Sequence, residues 1–157
     1  MSGRRTAVLA AVQDTRGGRR ALAWAWDEAL LRAAALEIID VVHDDASRTA
    51  AEEGLLRMVE AVRAEHARAP AVAIQVVAGD PVEVLSARTS EVQLLVMGSH
   101  GVGGLLHAVE PVVSDALTRL ADCPVVVVPS PSPAPGPQHS PPPRLRAADD
   151  AAGDPRD

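Results

Sequence analysis

Hydrophobic positions along residues 1–129 alternate between two spacings. Short continuous apolar runs occur at Ala7–Val12, Leu36–Val42, Val72–Val77, Leu94–Met97 and Val125–Val128. Runs of four to eight such residues read as strands covered on both faces. Between them the spacing becomes helical. Arg19–Ala33 repeats apolar residues at Leu22, Ala25, Trp26, Ala29, Leu30 and Ala33, and Ala51, Leu55, Met58, Val59, Val62 and His66 share one face of a second helix. Asp80-Pro81-Val82-Glu83 reads as the start of a third helix, with an Asp cap, Pro at the first helical position and an acidic third residue. A fourth helix is expected from near Pro111, with Val113, Leu117 and Leu120 on one side. The order β-α-β-α-β-α-β-α-β predicts an α/β, Rossmann-like doubly wound parallel sheet with helices on both faces.

The composition changes at Pro129. Residues 130–157 hold eight of the 13 prolines and one aliphatic side chain larger than Ala, Leu145. Such a segment cannot bury enough apolar surface to offset its ordering entropy. The expectation is a folded domain over 1–129 and a Pro-rich disordered tail over 130–157, with polyproline character as far as Pro143.

Charge and composition then remove function classes. All 15 basic residues are Arg, and the formal charge is −6. With no Lys, a Lys-dependent phosphate loop and Schiff-base chemistry are excluded. No Phe or Tyr is present and only two Trp, so there is no stacking platform for single-stranded nucleic acid. The acidic balance argues against nucleic acid and anionic membranes as partners. One cysteine, Cys123, excludes an intramolecular disulfide and a Cys-rich zinc module and reads as a packing residue. The apolar stretch at Ala7–Val12 is shorter than a secretory core, and no run has the length of a membrane span, so a cytoplasmic protein is expected. His43-Asp44-Asp45 follows the second strand and reads as a solvated loop and helix start rather than a metal site. His100 and His107 read as loop surface residues. Trp24 and Trp26 point about 200° apart on one helix, so only one enters the core. Trp26 is a candidate interface anchor.

The stretch most informative about chemistry is VMGSHGVGGLLHAVEPVVSDALTRLADCPVVVV, Val96–Val128. A strand runs into glycines at 98, 101, 103 and 104 ahead of a helix. Glycine lets backbone N–H groups approach a phosphate, and a helix start adds positive partial charge. Together with VLAAV, ALAWAWDEAL, VVAGDPVEVL and ADCPVVVVP, this stretch resembles the universal stress protein family over roughly residues 6–129. The resemblance implies a five-stranded sheet of order 3-2-1-4-5 and frequent homodimers. In the nucleotide-binding branch it implies an Asp at the end of strand 1 and a Gly-x2-Gly-x9-Gly-Ser/Thr phosphate loop.

Half of that pattern is present. Gly98 and Gly101 match its first two glycines, while Pro111 and Val112 stand where Gly and Ser/Thr belong, and Gln13 stands where the Asp belongs. Pro111 offers no N–H and Val112 no hydroxyl. Losing two charge-assisted bonds weakens binding by about 3–6 kcal/mol, roughly 100- to 10,000-fold. The cofactor-binding candidates are therefore Gly98, Gly101 and Ser114, in a degenerate site. No nucleophile–base pair, carboxylate pair or metal cluster is in view. The expectation is a non-enzymatic stress-response module with no required cofactor; the alternative is an ATP- or AMP-binding member. The apolar last strand, Val125, Val126, Val127 and Val128, would be an edge in the 3-2-1-4-5 order, and a homodimer through it is expected.

Overall fold

The computed structural model describes residues 6–99 and 110–129, the side chains of 110–112 excepted. The chain order among these residues is β1 (Ala7–Ala11), α1 (Arg16–Leu31), β2 (Ala35–Val42), α2 (Arg48–Ala64), β3 (Val72–Ala78), α3 (Pro81–Arg88), β4 (Leu94–Gly98), α4 (Glu110–Leu120) and β5 (Val125–Val128), with a 3-10 turn, Asp45–Ser47, leading into α2. The five strands form one parallel sheet of order β3-β2-β1-β4-β5.

Two cores follow from the alternation of side chains along each strand. Val8, Ala10 and Val12 of the first strand run, with Leu36, Ile38, Leu94 and Val96, meet α1 and α2 through Leu22, Trp26, Leu55 and Val59. Leu9, Ala11, Ile39, Val41, Leu95 and Met97 face the other way, toward Leu85 of α3 and Val113 and Leu117 of α4. Cys123 is buried in this second core, as a packing residue would be.

Helix ends show where local chemistry outweighed apolar spacing. α1 begins three residues before the apolar pattern does, because the Thr15 hydroxyl accepts from the Gly18 N–H and caps it. Gly17 and Gly18 carry no apolar signal, yet both are buried there. At the other end Ala33 takes φ 51°, its N–H donates to Leu30 and the Ala34 N–H donates to Ala29. That is a Schellman ending with Ala in the left-handed position glycine usually holds. The third helix starts as expected, with the Asp80 carboxylate accepting from the Glu83 N–H at 3.0 Å.

Some expectations need correcting. Trp26 is fully buried and Trp24 is 38% exposed, so Trp26 is a core residue and not a surface anchor. Its indole N–H donates to the Arg68 carbonyl at 3.0 Å. His66 lies past the end of α2, where its Nδ1 donates to the Val62 carbonyl at 2.7 Å and its ring lies 5.7 Å from that of Trp26. Leu120 ends α4 with 58% of its surface exposed, although Val113 and Leu117 are buried as predicted. The 130–157 tail, His100 and His107 lie outside the described residues.

Two substitutions of opposite sense test these backbone features. A Cβ at residue 18 would stand 1.9 Å from the Gln13 carbonyl oxygen. Gly18→Ala is expected to cost about 2–3 kcal/mol in urea unfolding. Ala33→Gly relieves a left-handed alanine and is expected to add about 0.5–1 kcal/mol.

Candidate functional site

In a sheet of this order the chain reverses direction of travel between β1 and β4, and the crevice for ligands opens beyond the carboxyl ends of those strands. Three pieces of backbone form it. Val12-Gln13-Asp14-Thr15 leaves β1, Gly98-Ser99 leaves β4, and the first turn of α1 lies across both. They are packed to contact distance. A Cβ on Gly98 would meet the Gly17 carbonyl oxygen at 3.2 Å and its carbon at 3.3 Å. Gly98 thus has a packing reason to be glycine, the close approach of β4 to α1, beside any contact with a ligand. The Ser99 N–H donates to the Val128 carbonyl at 2.9 Å, which holds the exit of β4 against the edge strand.

Of the sequence-predicted residues, Gly98 is therefore at the crevice and half-buried, and Ser114 lies half-buried in α4. Gly101 lies outside the described residues. Gln13 follows β1 at the crevice edge and is partly exposed. Asp14 turns instead toward α2: its carboxylate lies 3.5 Å from the Arg57 guanidinium, and a Cβ on Gly54 would meet it at 2.9 Å. Beside it is a cleft of about 460 Å³ lined by Asp14, Thr15, Arg16, Arg19, Arg57 and Met58, among others. Arg19 is already ion-paired with Glu65 across the α1–α2 seam.

Asp40 was missed in the sequence. It sits inside β2, 4% exposed, on the same face as Ile38 and Val42 and thus toward α1 and α2. Its carboxyl takes hydrogen bonds from the Gln13 side chain and the Val41 N–H, while Oδ1 has no partner among the described residues. Burial pushes its pKa up to about 6, against the pull of those two bonds. The available signal was a lone carboxylate in the run LEIIDVV, a strand covered on both faces, where an unpaired charge is costly.

The other carboxylates near this end of the sheet are spent locally. Asp44 accepts from the N–H and hydroxyl of Ser47, both at 2.9 Å, and those bonds lower its pKa. Asp45 binds Arg48, whose guanidinium also donates to the Val76 carbonyl at 3.1 Å. No group of three or more His, Cys, Asp or Glu residues positioned for a metal ion occurs among the described residues. Nor is any helix among them long and apolar enough to cross a membrane.

A doubly wound sheet with a strand-to-glycine exit beside its reversal point defines the class: a Rossmann-like α/β domain. The family follows from a direct match. The sequence model of the universal stress protein family fits residues 5–129, and the chain belongs to that family. Solved structures agree on the fold. A universal stress protein from Burkholderia pseudomallei is 26% identical, with TM-score 0.60 over 80% of this chain and 97% of that one. A universal stress protein solved in complex with cAMP is 22% identical, with TM-score 0.64 over 79% of this chain and 96% of that one. One from Archaeoglobus fulgidus solved in complex with dAMP is 18% identical, with TM-score 0.60 over 78% and 96%. The comparison with curated proteins gives no match.

The buried carboxyl has a consequence for stability. The folded chain holds the Asp40 proton more tightly than the unfolded chain, where the pKa is near 3.8. The protonated form therefore favours folding, and stability from this group is lost as pH rises through about 4 to 6. The full cost above that window is about 3 kcal/mol. Asp40→Asn keeps an acceptor for Gln13 and removes the charge. It is expected to be about 1–3 kcal/mol more stable than wild type at pH 7.5 and to lose that advantage by pH 4. Denaturant unfolding at the two pH values measures the difference.

Proposed function

We propose that this universal stress protein is a non-enzymatic stress-response module of the cytoplasm, acting by self-association or partner binding, whose nucleotide crevice is too poor in donors to hold a triphosphate tightly. One observation carries the reading. The residue at the end of β1 is an amide, and that amide is engaged by Asp40, one strand away and buried. A ribose diol arriving there meets no exposed carboxylate from β1. Asp14, the next residue, is turned to Arg57 and Gly54. At the phosphate end, Pro111 in the first turn of α4 supplies no N–H.

The edge position of β5 supports association. Among the described residues its sheet neighbour is β4 alone, it is four valines long, and Val127 is 37% exposed. An apolar strand edge without a protecting charge favours pairing with a second copy.

A second reading, ATP or AMP binding, is favoured by the relatives solved with cAMP and dAMP. Calorimetry separates the two. The first reading expects dissociation constants for ATP and AMP weaker than about 100 μM; a value of micromolar or tighter supports the second. Restoring donors with Pro111→Gly and Val112→Ser together is expected to tighten ATP binding by at least about tenfold. Association has a separate test. Val126 packs against the α1-side core, so Val127→Lys is the cleaner change. Wild type is expected to sediment as a dimer and the variant as a monomer with an unchanged circular dichroism spectrum.

A further inference from the structure

The two edges of the sheet are not alike. β3 forms one and β5 the other. In a parallel pair a bonded residue gives both its N–H and its C=O to the same neighbour, so every second residue of an edge strand is left with both groups facing outward. The Leu36 N–H donates to the Ala71 carbonyl at 2.8 Å and the Gly79 N–H to the Val42 carbonyl at 2.9 Å. With Leu36 opposite Val72 and Val42 opposite Ala78, that alternation turns the main-chain groups of Ala73, Gln75 and Val77 toward β2 and those of Val72, Ile74 and Val76 outward.

The outward row of β3 is well suited to pairing. The strand is seven residues long, VAIQVVA, carries no charge and is rich in β-branched side chains, whereas β5 has four residues. One outward group is nevertheless taken. Arg48, the first residue of α2, donates from Nη1 to the Val76 carbonyl at 3.1 Å. Its Nε and Nη2 are held by Oδ1 of Asp45, at 3.2 and 2.6 Å, so the guanidinium is clamped between the 3-10 turn and the strand edge. Among the described residues no side chain bonds the outward main-chain groups of Val125 and Val127 on β5.

We infer that Arg48 guards the β3 edge against a second copy of the chain and thereby confines strand pairing to β5, so that association ends at a pair. A molecule with two pairable edges on opposite sides of its sheet adds copies without limit, whereas one with a single such edge closes on itself as a dimer. That pairing goes to β5 rests on the association reading above; the guard on β3 does not.

The guard works through one acceptor. A strand added along β3 needs the Val76 carbonyl, and the guanidinium already on it stays ionised under all physiological conditions. Displacing that head gives up a charge-assisted hydrogen bond and leaves a cation against an apolar seam. On the amino side Pro70 has no N–H to extend the row. The open stretch therefore runs only from Val72 to the N–H of Val76, and its carboxyl end is closed by a charge.

The test is sedimentation of the full chain over a range of concentrations. Arg48→Met keeps the aliphatic stem and removes the donor head. Its weight-average mass is expected to exceed that of wild type by about twofold or more and to rise with concentration. Ala73 is exposed on β3, and adding Ala73→Lys to Arg48→Met puts a charge back on the strand and is expected to return the mass to that of wild type. An Arg48→Met protein no larger than wild type overturns the guard, and growth that Ala73→Lys leaves unchanged overturns β3 as the surface. Amide hydrogen exchange on wild type, followed by NMR, needs no variant. The N–H groups of Ile74 and Val76 are expected to exchange freely while those of Gln75 and Val77 are protected; protection of all four shows an edge already covered and overturns the guard. If β5 does not pair, wild type sediments as a monomer and Arg48→Met as a pair. The mass of wild type thus reports on β5, and the difference between the two proteins reports on Arg48.

Discussion

The whole crevice depends on backbone-to-backbone contact between the opening turn of α1 and the ends of the two central strands. Gly18 lies against the carbonyl of Gln13, and Gly98 lies against the carbonyl of Gly17. The first contact has no room for a side chain, and the second admits one only if the Gly17 carbonyl shifts by a few tenths of an ångström. They fix where β1 ends, where α1 begins and which way residue 13 faces. The Thr15 cap then starts the helix at that point, and the rest of α1 lays Leu22, Ala25, Trp26 and Ala29 onto the sheet. Sheet, helix and crevice edge are thereby set by three residues with almost no hydrophobic surface of their own.

Within that rigid frame the chemistry of the crevice edge has been redistributed. A carboxylate lies in β2, buried, and an amide lies at the end of β1, partly exposed. The exchange matters because the two groups respond differently to burial. A carboxylate on the rim stays ionised and accepts from a sugar hydroxyl, whereas one sealed beneath α1 and α2 resists ionisation and needs a donor from its own chain. Gln13 supplies that donor. The same side chain therefore serves the stability of the fold from a position at the crevice edge.

Much of the fold was legible because strands covered on both faces have a plain signature. Five short aliphatic runs separated by helical spacing fixed the element order, and the resemblance supplied the strand order 3-2-1-4-5 that the sheet adopts. The DPVE start of α3 was legible because capping is local. What escaped depended on contacts between distant segments. The sequence separates Trp24 from Trp26 by direction but not by destination; the Arg68 carbonyl that receives the Trp26 indole lies 42 residues away. Gly17 and Gly18 carry no apolar signal, so the true start of α1 lay outside the periodic pattern. At the site, Gly98 was found by its place after a strand, but its packing against Gly17 was not. Asp40 was overlooked because an apolar run is read for its majority, and the one residue that contradicts the run carries its chemistry.

The central claim is that residue 13 belongs to Asp40 rather than to a ligand. A crystal structure grown at pH 8 in the presence of millimolar AMP tests it most directly. The prediction is a Gln13 amide within hydrogen-bond distance of the Asp40 carboxylate and no ordered ribose at the end of β1. Ribose hydroxyl density on Gln13, with Asp40 satisfied by some other donor, would contradict it.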